Sequence, residues 1–383
     1  MPLIMVCTAM VCTSVPTAQR TRTNPRMMPR TLLTTLLAAF LTVPALGQSG
    51  GSGIDASILS ATGALNAAQK TSVSSYAARS VEAIKSGKDQ KAIDDARTAL
   101  VKPSRDPGAT PAFRKAYGVI LVTELAPIAK GSDLRRAVVA MQVLRFTRSS
   151  DALDVIVECA TPSTESDPGK RIAAGSLLID AFEDLEASNT YYDQSARKLR
   201  DAAVAEPDWM ALQQKLNALA AAARKKDLPA ENARNLRKAQ AEALSEIARK
   251  SKGSTAVDDR MRAVQRVLVG LRNDLLVMPQ ADRSQLAKTL APALTEMLNA
   301  AGAQWDAAHA SKDATAAYGS VVNSCEVILR LIDRSERPSA YSGTKPDGDS
   351  RVLAAAWESG DRSKFDAEAK RWAGIVSAAP YRN

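Results

Sequence analysis

The sequence predicts an all-α fold, an array of antiparallel helices that grades into a bundle of longer ones. Apolar residues recur at steps of three and four along most of the 383 residues, the period that lines one face of a helix. Alanine-rich stretches abound, β-branched runs are few, and no segment alternates as a strand would. The breaks between periodic segments are short and made of turn residues, so neighbouring helices have to lie roughly antiparallel. Aromatic residues are scarce, at 4%.

The first 26 residues fit no structured element, and Met27 or Met28 makes a more typical start for a signal peptide. In MMPRTLLTTLLAAFLTVPALGQSG, Arg30 supplies a positive n-region and Leu32 to Val43 an apolar h-region. Ala45 and Gly47 stand where a signal peptidase reads small residues. Residues 1–47 are therefore expected to be a signal peptide with an N-terminal extension, cleaved before Gln48. The alternative is an uncleaved membrane anchor over 31–47, but the apolar run is short of the ~20 residues a spanning helix needs. Export leaves Cys159 and Cys325. They form either one disulfide or two separate buried thiols, and the apolar faces around each favour the thiols.

A Gly/Ser linker at 48–53 leads into helices expected near 54–67, 70–86, 89–101, 111–129, 133–147, 151–160 and 168–186. The breaks are Gly87, KPSRDPG at 102–108, Gly131, RSS at 148–150 and TPSTESDPG at 161–169. The last break runs into DPGKRIAAGSLLIDAF, which superficially offers a phosphate-gripping Gly-Lys loop. A GxxxxGK[ST] loop needs an earlier glycine and a hydroxyl after the lysine. Here the earlier position is Thr164 and the later one Arg171. A helix start accounts for the same residues: Asp167 caps free amides, Pro168 suits the first turn, and Ile172, Gly175, Leu178, Ile179, Phe182 and Leu185 form an apolar face.

The pair SSDALDVIVECA and DPGKRIAAGSLLIDAF resembles a HEAT-type repeat, in which the second helix opens with Asp, Pro and Arg, followed by Ala and Leu four apart. The matching residues are Asp167, Pro168, Arg171, Ala174 and Leu178; SDLRRAVVAMQVL repeats Asp133, Arg136 and Val139 more loosely. Over 89–187 the resemblance implies an α-solenoid in which Asp and Arg tie successive units together and Ala allows close helix approach. On this reading 54–187 is a HEAT-like helical array.

From 188 to 332 the pattern is that of a long-helix bundle. Trp209, Leu212, Leu216, Leu219 and Ala223 step by three and four. Val257, Met261, Val264, Leu268, Leu271, Leu275 and Met278 continue a heptad rhythm, and Leu286, Leu290, Ala293 and Met297 repeat it. A polar loop comes next, at 333–350. A closing helical hairpin at 351–383 turns at Gly360 and buries Trp357, Phe365 and Trp372.

Chemistry is sparse. His309 is the only histidine and has no ligand-spaced partner, so neither a zinc site nor a histidine triad is expected, and no cofactor motif is present. Asp151, Asp154 and Glu158 line one helix face and Asp180, Glu183 and Asp184 another. Paired carboxylates suffice for glycoside hydrolysis, but solvated acidic stripes are the simpler reading. Charge says more. Residues 224–272 contain 13 basic against 6 acidic side chains and hold the excess positive charge of the exported chain. Arg234, Arg237, Lys238, Arg262, Arg266 and Arg272 are its candidate anion- or partner-binding residues. No aromatic residue lies between 224 and 272 to stack on a base, which with export argues against nucleic acid.

These readings converge on a non-catalytic exported scaffold presenting an extended helical surface to a protein partner in the cell envelope. Two alternatives stand beside it. One is an enzyme acting on an envelope polymer through paired carboxylates, the other a module binding anionic lipid or glycan through 224–272.

Overall fold

Local capping decides where most helices begin. The computed structural model describes residues 53–254, 256–341 and 351–382, which belong to one compact unit, Gly51–Asn383. The signal-peptide and linker expectations fall outside these residues up to Gly53. The described residues form sixteen α-helices and no strand. The first seven are α1 (Ala56–Leu59), α2 (Ala67–Ser86), α3 (Gln90–Arg105), α4 (Pro111–Ala129), α5 (Leu134–Arg145), α6 (Ser150–Ala160) and α7 (Pro168–Asp184). Then come α8 (Asn189–Ala205), α9 (Trp209–Ala223), α10 (Ala230–Lys252), α11 (Met261–Val277) and α12 (Gln280–Ala303). The series ends with α13 (Trp305–His309), α14 (Lys312–Glu336), α15 (Val352–Ser359) and α16 (Arg362–Val376). The longest helices are α10, α12 and α14, of 23, 24 and 25 residues, and α5 and α6 are short, with 12 and 11.

Four expectations are corrected. The helix over 54–67 is only the single turn α1. The head of α4 takes the carbonyls a longer helix would use: Thr110 donates its backbone N–H to Leu59 (2.9 Å) and its hydroxyl to Ala61. Asn66 then opens α2 through a capping box with Gln69. The turn expected from 102 is the last turn of α3, which runs through Pro103. Proline frees the carbonyl four residues back, and here the Tyr76 hydroxyl donates to that Ala99 oxygen at 2.7 Å. Val257 precedes α11, so the heptad seam starts at Met261. Asp333 opens no loop; it is buried on α14, which continues to Glu336. Residues 342–350 of that expected loop are outside the described ones.

Helices alternate between two rows. In one, α2, α4, α6, α8, α10 and α12 each pack on the next; in the other, α3, α5, α7, α9, α11 and then α14 do the same. Sequence neighbours α2–α3, α4–α5, α6–α7 and α8–α9 bridge the rows. The core between them is aliphatic and runs on through Leu216, Leu219, Val264, Leu268, Leu271, Leu290 and Met297, all buried. α15 and α16 close the end, turning at Gly360 with φ +73°, a left-handed conformation that suits glycine. Trp357, Phe365 and Trp372 are buried there.

Two contacts set the spacing of α7 and α9. A side chain at Gly175 would place Cβ 2.8 Å from Gln214 Cβ, so only glycine permits this approach. Arg171 reaches beyond α8 in sequence to Glu206, ahead of α9, with two 2.9 Å bonds, and also donates to the Glu165 and Ser166 carbonyls. Lys215 adds a third contact to Glu206 at 2.6 Å, and all three side chains are buried. Asp167 caps its own helix by accepting from the Gly169 N–H at 2.8 Å. Lys170, the lysine of the apparent phosphate loop, is buried against Glu165 (2.6 Å) and the Gly131 carbonyl (2.6 Å).

Candidate functional site: a basic groove and the face of α11

A groove of about 670 Å³ lies on α3, α5 and α7. α3 runs on through Pro103, so Lys102 and Arg105 both belong to its last turn. Along α3, Arg97, Thr98, Val101, Lys102 and Arg105 face it at helical spacing; α5 and its C-cap add Gln142, Arg145 and Phe146, and α7 adds Leu177. Arg105 and Arg145 hold their guanidinium carbons 4.1 and 4.5 Å from the centre of the Phe146 ring, a favourable cation–π geometry. Arg97 donates to Gln142 at 2.9 Å and lies 3.6 Å from Asp94; Arg145 pairs with Asp180. Lys102 and Arg105 are exposed and have no hydrogen bond or ion pair among the described residues. One carboxylate, Asp106, lines the groove, and it accepts from the Gly108 N–H at 2.8 Å.

The six cations singled out in the sequence divide into two groups. On α10, Arg234, Arg237 and Lys238 line a smaller groove of about 280 Å³ facing α12. Arg234 pairs with Asp282 there (3.2 Å), and Lys238 lies 3.9 Å from Glu242. Arg237 points inward, donating to the Ala223 carbonyl at 3.2 Å; burial holds its guanidinium below its ordinary pKa despite Asp274 and Asp282 nearby. Arg262, Arg266 and Arg272 are on α11, in the other row. Arg266 lies over the Trp209 ring at 5.0 Å and donates to Gln213, Arg262 pairs with Asp259 at 3.3 Å, and Arg272 is exposed. One continuous basic face is therefore not what these residues make.

α11 presents something the charge pattern did not reveal. Val269, Leu276 and Val277 are exposed on it, at 47, 55 and 85%, interleaved with the three arginines on the same side of the helix. Elsewhere the described residues expose large apolar side chains only at Val119, Leu134 and Met210.

The acidic stripes are tied into the fold. Asp154 bonds Lys198 on α8 (2.8 Å), Glu158 pairs with Lys130, Asp180 with Arg145, and Asp184 lies 3.9 Å from Arg148. Asp151 and Glu183 remain exposed. His309 packs against Trp305, ring centres 4.3 Å apart, and its nitrogens lie 2.9 and 3.2 Å from the Trp305 and Trp357 carbonyl oxygens. Cys159 and Cys325 are separate buried thiols, and burial raises the Cys159 pKa to about 11. Among the described residues no helix is long and apolar enough to cross a membrane, and no cluster of three metal-ligating side chains occurs. No protein-family model matches the chain, and neither a curated protein nor a solved structure shows significant similarity to it.

Proposed function

We infer that this chain is an exported, non-catalytic interaction scaffold: a HEAT-type α-solenoid that presents a helical surface to a protein partner in the cell envelope. The observation that carries this reading is the face of α11, where Val269, Leu276 and Val277 stand in solvent beside Arg262, Arg266 and Arg272. Exposed apolar side chains gathered on one element and rimmed by charge mark association surfaces. The two rows of helices support it by placing this face on an array whose elements pack mainly on their neighbours, the architecture of extended binding surfaces.

A photo-crosslinking residue at position 277, compared with one at the exposed Glu183 position, tests the reading in an envelope fraction. A discrete protein adduct is expected from 277 alone. It should re-form from purified components and disappear when Val269 and Leu276 are both changed to Ser. Such surface changes shift stability by only about 0.5 kcal/mol, so loss of the adduct reports on binding. The same unspecific ladder from both positions overturns it. Salt-sensitive binding to anionic vesicles that requires Arg262, Arg266 and Arg272, with no protein adduct, transfers the face to the lipid or glycan reading.

A further inference from the structure

We propose that the groove between α3, α5 and α7 binds an acidic segment of a protein partner, with carboxylates held by Lys102 and Arg105 and an apolar side chain resting on Leu177 and Pro107. This rests on the reading of the chain as a protein-binding scaffold, but it assigns a second site, away from α11, and states its chemistry.

The first support is uncompensated charge. Several cations of this protein are engaged in ion pairs between helices, as Arg145 is on Asp180, Lys130 on Glu158 and Lys198 on Asp154. Lys102 and Arg105 line this groove one turn apart, exposed, and no carboxylate meets them among the described residues. Asp106, the carboxylate that lines the groove, has an oxygen engaged by the Gly108 amide. Position at the C-terminus of α3 favours cations through the helix dipole, but that leaves their outward donors free for a ligand.

The second support is positioning. The Arg105 guanidinium lies over Phe146 as Arg145 does, so its direction is set before any ligand arrives. A pre-oriented planar guanidinium loses less freedom on gripping a carboxylate than a floppy one.

Shape and polarity select the ligand class. At about 670 Å³ the groove has the volume of an ordinary ligand site, and beside the exposed Lys102 and Arg105 its lining includes the apolar Val101, Pro107 and Leu177. A bare phosphate would leave that apolar lining uncovered. A nucleic-acid base would need a ring free for stacking, and Phe146 already carries two guanidinium groups. An extended peptide that alternates acidic with apolar side chains satisfies both the charges and the apolar lining, because successive side chains of an extended chain point to opposite sides.

The test uses the full chain and a fluorescein-labelled heptapeptide in which glutamates alternate with leucine and phenylalanine, read by fluorescence anisotropy. Its glutamine counterpart is the control. Binding of the glutamate peptide is expected, weakening as salt rises, with little binding of the glutamine peptide. The double variant Lys102→Gln/Arg105→Gln should weaken binding by about tenfold or more, as removal of charged partners does at other interfaces, with an unchanged circular dichroism spectrum. Arg262→Gln/Arg272→Gln on α11 should leave it as it was. The proposal is overturned by no salt-sensitive binding, by binding indifferent to the Lys102/Arg105 change, or by an equal loss in the α11 variant. Octanoate and inorganic phosphate serve as competitors. If either binds in a way that needs Lys102 and Arg105 while the peptide does not, the groove is a small-anion site and the peptide proposal fails. None of these results alters the crosslink expected at position 277, so the two readings fail separately.

Discussion

Replacing Glu206 with Gln and, separately, Lys215 with Met should have unequal consequences for stability, although the two side chains are ion-paired at 2.6 Å. Glu206 is 0% exposed and accepts from Arg171, from Lys215 and from the Asp208 amide at 2.9 Å. Burial alone would raise its pKa, but the bonds from Arg171 and Lys215 outweigh burial and hold the carboxyl below its ordinary value. Glu206→Gln removes the negative charge and leaves two buried cations facing each other. Breaking a buried pair in this way costs about 3–5 kcal/mol, a large share of the ~5–15 kcal/mol that stabilises a typical domain. Lys215→Met instead leaves Glu206 with its bidentate arginine and the amide, and puts an apolar chain of similar length between α7 and α9. It also removes an ammonium whose pKa is lowered by burial, so Lys215→Met should cost clearly less than Glu206→Gln. Urea denaturation followed by circular dichroism measures both, with the slope checked because a long helical array need not unfold in one step. An unaltered midpoint for Glu206→Gln, or an equal fall for Lys215→Met, would refute the assignment of Glu206 as the counter-charge joining successive helix pairs.

Leu268→Ala should cost about 2–5 kcal/mol, because the side chain is 0% exposed in the α11 seam; a denaturation midpoint equal to that of the parent would contradict its place in the core. The closing hairpin should be acid-sensitive through Asp333. Burial raises its pKa, but bonds from Arg337 (2.6 Å), Tyr341 (2.6 Å) and Tyr381 (2.7 Å) prevail and lower it from 3.8. Its stabilisation is therefore complete above pH 3.8 and is lost as pH falls through the lower folded value. Asp333→Asn should lower stability at neutral pH by about 2 kcal/mol and reduce the acid-induced change in tryptophan fluorescence, whereas an identical acid transition in both proteins would assign that transition elsewhere.

The functional surfaces were less legible than the fold. The two separate thiols could be read from local pattern, since each sits on an apolar helical face, whereas the burial of Lys170 against Glu165 could not. The groove could not, because KPSRDPG carries strong turn chemistry and hid the turn of helix that presents Lys102 and Arg105. A proline that would end most helices is tolerated where Tyr76 takes up the carbonyl it frees. The charge excess of 224–272 was visible in composition, but composition does not say which row a side chain joins. The connection before α11 divided those cations between two sites.

By itself the sequence determined the helices, their caps and their buried seams, because capping and apolar periodicity act over a few residues and are written in contiguous stretches. Asp167 ahead of Pro168 and the run from Met261 to Leu275 belong to this class. Only the tertiary structure decided that Arg171 meets Glu206, that Arg145 meets Asp180 and that Phe146 lies beneath Arg105. Those pairings depend on the rotation and offset of helices in neighbouring pairs, which are set by contacts such as Gly175 against Gln214. A shift of one helical position would send the same side chains to different partners.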